Sequence, residues 1–184
     1  MYNVRNYCKL FLFRERHLIE RREDMKSFFI TQGTAEFLDK IMQEHKNENM
    51  FLFHDDFSSI LLHETTGKSL FKEPSKYKVV ESVGQLASEG LIILHYVPVT
   101  DEGRPVFEYQ FKNQVSNIEN ESGLITLRLL RPQTGEPYVI LSQWENDKQF
   151  NTVKNKLSNS FFNQQKTLYP RPSYVKKYYH YTDQ

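Results

Sequence analysis

The chain has 184 residues, which is enough for one large domain or two small ones with a buried core. Its formal net charge of +1 gives no electrostatic indication of a nucleic-acid partner or an anionic membrane surface. The single cysteine, Cys8, excludes an intramolecular disulfide and a cysteine-rich metal site, so a reducing, cytoplasmic setting is the simplest interpretation. The longest apolar run, Leu91 to Val99, is interrupted by His95 and falls far short of the ~20 residues that a membrane span needs.

Residues 1–24 differ from the rest of the chain. They hold six Arg or Lys and four Asp or Glu, with no clear hydrophobic period. A basic targeting arm is one interpretation. Mixed charge runs of this kind are more often solvated, so we expect a poorly ordered extension, with Met25 as an alternative start.

Residues 25–89 are predicted to form an N-terminal α+β half. Apolar residues at helical spacing follow Thr34, which indicates a first helix. Ser75 can cap a second helix, because a helical apolar stripe follows it. The predicted strands are Ser27–Thr31, Met50–Phe53 and Ser59–Glu64, and the two helical stripes are Phe37, Leu38, Ile41, Met42 and then Val79, Val83, Leu86.

Residues 90–184 are predicted to repeat the same order of elements and to add a closing strand. Pro105 is suited to the first turn of a helix, and Asn146 with Gln149 forms a capping-box pair at the start of another. The predicted strands are Leu91–Val99, Leu124–Leu130, Tyr138–Trp144 and Tyr174–Tyr181, and the helical stripes are Phe107, Phe111, Val115, Ile118 and then Phe150, Val153, Leu157, Phe161.

This order of elements predicts an α+β protein of the ferredoxin-like, dimeric α/β-barrel type, with two β-α-β-β-α units in one chain. Antiparallel sheets with helices on one face leave the other face bare. Two such sheets can cover each other, so we expect a monomer with pseudo-dimeric halves.

Common catalytic motifs do not occur. The glycines are isolated, which excludes a phosphate-binding loop, and the six histidines do not fall at metal-ligand spacing. His54, Asp55 and Asp56 are consecutive, and consecutive residues at a strand end point in opposite directions, so a solvated turn is a better interpretation than a metal site.

Several segments carry a family resemblance. They are Glu102–Glu108, Leu127–Pro132, Tyr138–Leu141 with Trp144 and Phe150, Ile30–Leu38, Leu62–Gly67 and Arg171–Val175. The chain resembles antibiotic biosynthesis monooxygenase (ABM) domain proteins, in particular the two-part group that includes the bacillar heme-degrading monooxygenase HmoB and the staphylococcal signalling protein TRAP. The resemblance extends from Met25 to Tyr181 and implies a pocket between sheet and helices in the second half.

The resemblance implies heme as the small-molecule ligand, held by an asparagine, a tryptophan and an iron-binding histidine. Residue by residue, the asparagine position falls on His95, the tryptophan position on Val153, and the histidine position on Asn163 or Phe162. The family triad is therefore not retained. His95 is either a core histidine or a polar residue at a sheet edge, or it is a replacement ligand, acid or base that faces the pocket. Trp144 matches a different aromatic residue, which precedes the last helix.

Three functions are compatible with this pattern. The first is a heme-degrading monooxygenase, which binds heme and cleaves it with release of iron. The second is a non-catalytic signalling or stress-response protein of the TRAP kind. The third is a cofactor-free monooxygenase that acts on an activated aromatic compound. The lost triad favours the second, and the resemblance over both halves favours the first.

We predict that removing residues 1–24 leaves folding intact, because their mixed charge and their lack of a hydrophobic period give no regular apolar face to the core. Thermal unfolding of the shortened chain should match that of the full chain. Loss of folding on removal would contradict this prediction, and a natural product whose intact mass begins at Met1 would contradict Met25 as the start.

Overall fold

The computed structural model describes residues 26–135, 137–162 and 169–180, with the backbone alone for residues 158–162. The predicted extension, residues 1–24, lies outside these ranges. In chain order the elements are β1 (Ser27–Gly33), α1 (Ala35–Glu44), β2 (Met50–His54), β3 (Ser59–Thr65), β4 (Ser75–Gly84), β5 (Leu91–Val97), α2 (Arg104–Val115), β6 (Leu124–Pro132), β7 (Tyr138–Trp144), α3 (Asp147–Phe162) and β8 (Tyr174–His180).

The strands form one closed antiparallel barrel in the order β1-β3-β2-β8-β5-β7-β6-β4. The junctions between the two halves are β2 with β8 and β4 with β6. The α+β, ferredoxin-like fold class is therefore confirmed. The two sheets cover each other as expected, and they also join at their edges. The oligomeric state stays a prediction.

The interior of the barrel is an apolar, largely aromatic core that both halves supply. Alternate residues of each strand point inward, as the period of a strand requires. The fully buried interior side chains include Phe28, Phe53, Leu62, Tyr77, Ile92, Leu94, Leu130, Leu141 and Tyr178.

The helices cover the outer face of the barrel. α1 packs on the first half, around Leu38, Leu52 and Leu61. Its start agrees with the sequence, since the Thr34 hydroxyl accepts a hydrogen bond from the Phe37 amide. α2 and α3 pack on the second half, and their clusters contain Phe107, Phe111, Val115, Ile118 and then Trp144, Phe150, Val153.

The second helix predicted for the first half was wrong, because Ser75–Gly84 forms strand β4. The register of β4 on β6 shifts between Val79 and Glu81. A bulge inserts one residue and reverses the alternation of faces. Val79 and Val83 are four positions apart and would share one face of a regular strand. Because of the bulge, Val79 packs on the barrel interior and Val83 on the helix side. That spacing produced the apparent helical stripe.

The segment between β4 and β5 closes one end of the barrel. Leu86 packs against the interior core. Gln143, which is fully buried, accepts a hydrogen bond from the Ala87 amide at 3.0 Å and donates to the carbonyls of Ala87 and Glu89 at 2.7 and 2.6 Å. Gly84 begins this segment with φ 65°, a conformation that favours glycine.

A buried ion pair lies inside the barrel and links the two halves. The Nη2 atom of Arg128 in β6 lies 3.3 Å from Oε2 of Glu64 in β3, and each side chain is 3% exposed. Arg128 also donates to the carbonyls of Val83 and Gly84 at 2.8 and 3.1 Å. Lys26 Nζ lies 3.3 Å from the other Glu64 oxygen, within ion-pair distance.

We predict that Arg128→Met lowers the free energy of unfolding by about 3–5 kcal/mol, because Glu64 would stay buried without its main partner. Urea unfolding measures this loss. The matched double variant Arg128→Met/Glu64→Leu should recover much of it, since no buried charge is then left uncompensated. Wild-type stability of the single variant would contradict the prediction.

Candidate functional site

The helix-facing side of β5 is the centre of the candidate site. Ile93 packs in the cluster under α3, and Val97 packs in the cluster under α2. His95 lies between them on the same side of the strand, since side chains alternate. Tyr96 points into the barrel, where it packs against the interior core.

His95 is held by a residue that precedes β8. Its Nε2 lies 3.0 Å from Ser173 Oγ, within hydrogen-bond distance. Burial lowers the pKa of His95 to about 4, which keeps the imidazole neutral at physiological pH. Its cross-strand neighbours are Ile140 of β7 and Val175 of β8. A neutral imidazole among aliphatic side chains can bind a metal ion or accept a proton.

Val153 lies on the same side of the sheet, but it is a packing residue. Its side chain is 6% exposed and shares a cluster with Ile93, Trp144 and Phe150. Trp144 is also part of this core, because it is fully buried and its Nε1 donates to Ser142 Oγ at 2.9 Å. A larger side chain at position 153 would have to displace this core.

The other two candidates are at the end of α3. Phe162 is the last residue of the helix, and only its backbone is described. Asn163 lies outside the described residues. Their contribution to ligand binding therefore stays a prediction.

Aromatic side chains extend the site towards α2. The ring of Phe107 contacts Tyr138 edge to face, with centroids 5.0 Å apart. The ring of Phe107 also contacts that of Tyr169, with centroids 6.4 Å apart and planes at 89°. Tyr169 precedes Ser173 in the chain, so these rings connect α2 with the segment that holds His95.

A cluster of one carboxylate, one guanidinium and one phenol fixes α2 to the sheet. Arg131 donates to both oxygens of Glu108 at 2.6 Å, and the Tyr138 hydroxyl donates to the same carboxylate at 2.6 Å. Burial and then the bond to Glu108 raise the pKa of Tyr138, so the phenol stays protonated. This cluster sets the position of Phe107, which is one residue before Glu108.

A lysine joins β8 to α3. Lys177 Nζ lies 3.0 Å from Asp147 Oδ1 and 5.1 Å from the centroid of the Phe150 ring. The contact is partly exposed, so we expect it to contribute little to stability, about 0–1 kcal/mol.

Sequence reasoning missed Ser173 and the Glu108–Arg131–Tyr138 cluster as site residues. Arg171–Val175 and Leu127–Pro132 did stand out as segments that resemble the family. The strand pairing that places Ser173 beside His95 has no local sequence signal. Within the described ranges, no three His, Cys, Asp or Glu side chains come together as metal ligands.

Some of the cavities lie away from His95. One, of about 480 Å³, is at the barrel end beside Leu91 and is rimmed by Glu89, Glu145 and Asp147. Another, of about 570 Å³, is in the first half beside Thr34. We place the candidate site at His95 because its chemistry, rather than cavity volume, distinguishes it. Among the described helices, none is long and apolar enough to cross a membrane.

Comparison with known proteins agrees with this architecture. The family described as antibiotic biosynthesis monooxygenase matches residues 91–155. A protein of Listeria monocytogenes named heme-degrading monooxygenase is 28% identical, over 71% of this chain and 78% of its own. A Staphylococcus epidermidis protein named signal transduction protein TRAP is 30% identical, over 68% of this chain and 75% of its own.

A crystal structure from Listeria monocytogenes shows the same fold. It is described as an uncharacterized ferredoxin fold protein related to antibiotic biosynthesis monooxygenases. The TM-score is 0.76 at 27% identity, over 86% of this chain and 96% of that chain. The protein thus belongs to the ABM-domain family, in the group whose relatives carry the names heme-degrading monooxygenase and TRAP.

We predict that His95 titrates with a midpoint near pH 4, because burial disfavours the imidazolium form. An NMR titration of the ring carbons measures this midpoint. In the unfolded chain His95 should titrate near pH 6.5. The free energy of unfolding should therefore decrease as the pH falls from about 6.5 to 4. A folded-state midpoint at or above 6.5 would contradict the environment described for His95.

Proposed function

We propose that this protein binds heme between the sheet and helices α2 and α3, with His95 as the iron ligand. We further propose that it degrades heme slowly or not at all compared with relatives that keep the family triad. The observation that carries the proposal is the neutral imidazole of His95 on the helix-facing side of β5. The relative named heme-degrading monooxygenase supports heme as the ligand.

Two features of the described residues support heme as the ligand. Neutral imidazole nitrogen is a common iron ligand, and a bond from the other ring nitrogen to a nearby oxygen fixes the tautomer and orientation. The contact between His95 and Ser173 at 3.0 Å can supply that second bond. The neighbouring side chains Ile93, Ile140 and Val97 are apolar, as a porphyrin face requires.

Bound heme would supply iron at which dioxygen can be activated. The protein's part is to bind and orient the macrocycle and to exclude water from it. His95 would hold the iron, and the aromatic side chains of Phe107 and Tyr138 would border the group. The Glu108–Arg131 pair would keep α2 in place on that side.

Slow turnover follows from the residue at position 153. In the family resemblance this position carries a tryptophan that distorts the macrocycle. Here it is Val153, which is 6% exposed and packed against Trp144 and Phe150. A buried valine offers a bound ligand less bulk than an indole would, so we expect position 153 to contribute little to turnover.

A non-catalytic signalling or stress-response role is the alternative. Two observations favour it: the core packing of Val153 and the identity of 30% with a protein named signal transduction protein TRAP. In that case the helix-facing layer would serve stability, and His95 would be a core histidine bonded to Ser173.

Hemin titration of the purified protein tests the proposal. We predict that hemin gives a sharp Soret band with the wild-type protein. The substitution His95→Ala should abolish this band, or shift it and weaken the affinity for hemin at least tenfold. The matched control is His45→Ala, since His45 lies in the turn after α1, in the other half of the chain. With ascorbate, the wild-type protein should degrade the bound heme slowly or not at all.

Three other outcomes of the titration would each reject part of the proposal. Absence of a saturable Soret change would reject heme binding and favour the signalling role. A band that persists in His95→Ala would reject His95 as the ligand. Rapid degradation that is indifferent to His95→Ala would show that both the ligand and the rate are wrong.

A further inference from the structure

The helix-covered face of the first half contains a fully buried histidine. His63 lies on β3, and its side chain is 0% exposed. Its Nε2 lies 3.0 Å from Oε2 of Glu48, in the turn between α1 and β2. A carboxylate only accepts hydrogen bonds, so Nε2 carries the hydrogen of this bond. In the neutral ring the lone pair is then on Nδ1, which is buried without a hydrogen-bond partner.

A buried nitrogen without a partner calls for an explanation, because most buried polar atoms have one. Histidines that bind metal ions usually donate their other ring N–H to a carboxylate, which fixes the tautomer and the orientation of the ring. The bond from His63 to Glu48 is of this kind. It leaves the lone pair of Nδ1 in the layer of side chains under α1.

The side chains around His63 come from both neighbouring strands and from the segment after β3. Phe29 of β1 and Met50 of β2 are its directly opposite residues in the two adjacent strands. Opposite side chains stand on the same face of a sheet, with Cβ atoms about 5 Å apart. The rings of Phe29 and Phe71 contact the imidazole, with centroids 6.0 and 5.8 Å away. His63 therefore has a thioether on one flank and aromatic rings on the others.

The methionines of the described residues are concentrated at this place. Of the four methionines in the chain, Met42 and Met50 lie in the described ranges, and both pack in the cluster that contains Phe71. Methionine alone is a common core filler. Beside a buried imidazole nitrogen, however, thioether sulfur completes a set of soft donors, which copper(I) prefers.

The charges and donors of this layer favour a soft monovalent ion over a divalent one. The carboxylate of Glu48 is already bonded to Nε2 of His63. Among the described residues, no three His, Cys, Asp or Glu side chains converge here or elsewhere as a site for zinc. Burying a charge among apolar rings is costly, and the cost is lower for one charge than for two.

We propose that the first half of the chain binds one copper(I) ion between Nδ1 of His63 and the thioethers of Met42 and Met50. The ring of Phe71 covers the ion and excludes water from it. The ion is held by coordinate bonds alone, and no electron is transferred. This site is independent of His95 and of heme.

Titration of the full chain with copper(I) under anaerobic, reducing conditions tests the site. The protein carries Cys8→Ser, because Cys8 is the single thiol of the chain and would compete for the ion. NMR of the methionine methyl groups follows binding. The methyl signals of Met42 and Met50 should shift and saturate at one ion per chain, and that of Met25 should not. Zinc(II) should leave all three signals unchanged.

Two variants identify the ligands by competition with a chromogenic copper(I) chelator. Met50→Leu conserves the volume of the core and should weaken binding at least tenfold. His63→Ala should abolish it. The matched controls Met25→Leu and His180→Ala should leave the affinity unchanged, since His180 lies at the end of β8 in the other half. Unchanged methyl signals of Met42 and Met50, equal shifts with zinc(II), or binding indifferent to Met50→Leu would overturn the proposal.

Discussion

The buried pair of Arg128 and Glu64 constrains how the strands of the barrel can come together. A charge inside an apolar core is costly unless it is paired and hydrogen-bonded. Arg128 meets that requirement with oxygens from three places: Glu64 in β3, the carbonyls at the end of β4, and Thr126 in its own strand. The two charges make these contacts only when β3, β4 and β6 lie beside one another. We therefore expect the pair to favour this closed arrangement over two separate sheets.

A filled barrel interior determines where ligands can bind. Ile92, Leu94 and Tyr96 of β5 point inward, so the intervening residues must face the helices. Tyr96 stacks on Tyr174 of β8 with ring centroids 4.7 Å apart and planes within 10°. This contact holds β8 against β5 beside Ser173. The register that places Tyr174 opposite Tyr96 also places Ser173 within reach of His95.

The two halves share the order β-α-β-β, but they differ in the elements that follow it and in the chemistry of their helix-covered faces. In the second half, a neutral histidine lies among apolar side chains under two helices. Among the described residues of the first half, one helix covers the sheet, and the buried His63 bonds to Glu48 at 3.0 Å and contacts the rings of Phe29 and Phe71. The place of a second helix is taken by β4, which closes the barrel. The first half therefore presents a cavity at its edge, beside Phe57.

Much of the fold could be predicted from sequence because local chemistry determines most elements. Thr34, Pro105 and Asn146 mark the starts of the three described helices, and Tyr138–Trp144 has the predicted bounds. β4 could not be predicted, because its bulge gives valines a helical spacing. The pairing of strands that are distant in the chain leaves no local signal in the sequence, and for this reason Ser173 was missed as a site residue. The division of the chain near Gly90 stays a prediction.

The central claim is that His95 replaces the missing family histidine as the ligand to heme iron. A crystal structure of the protein grown with hemin tests it most directly. We predict hemin between α2, α3 and the sheet, with the imidazole of His95 bonded to the iron and Ser173 still beside the ring. Hemin held by another residue, or bound elsewhere on the molecule, would contradict the claim.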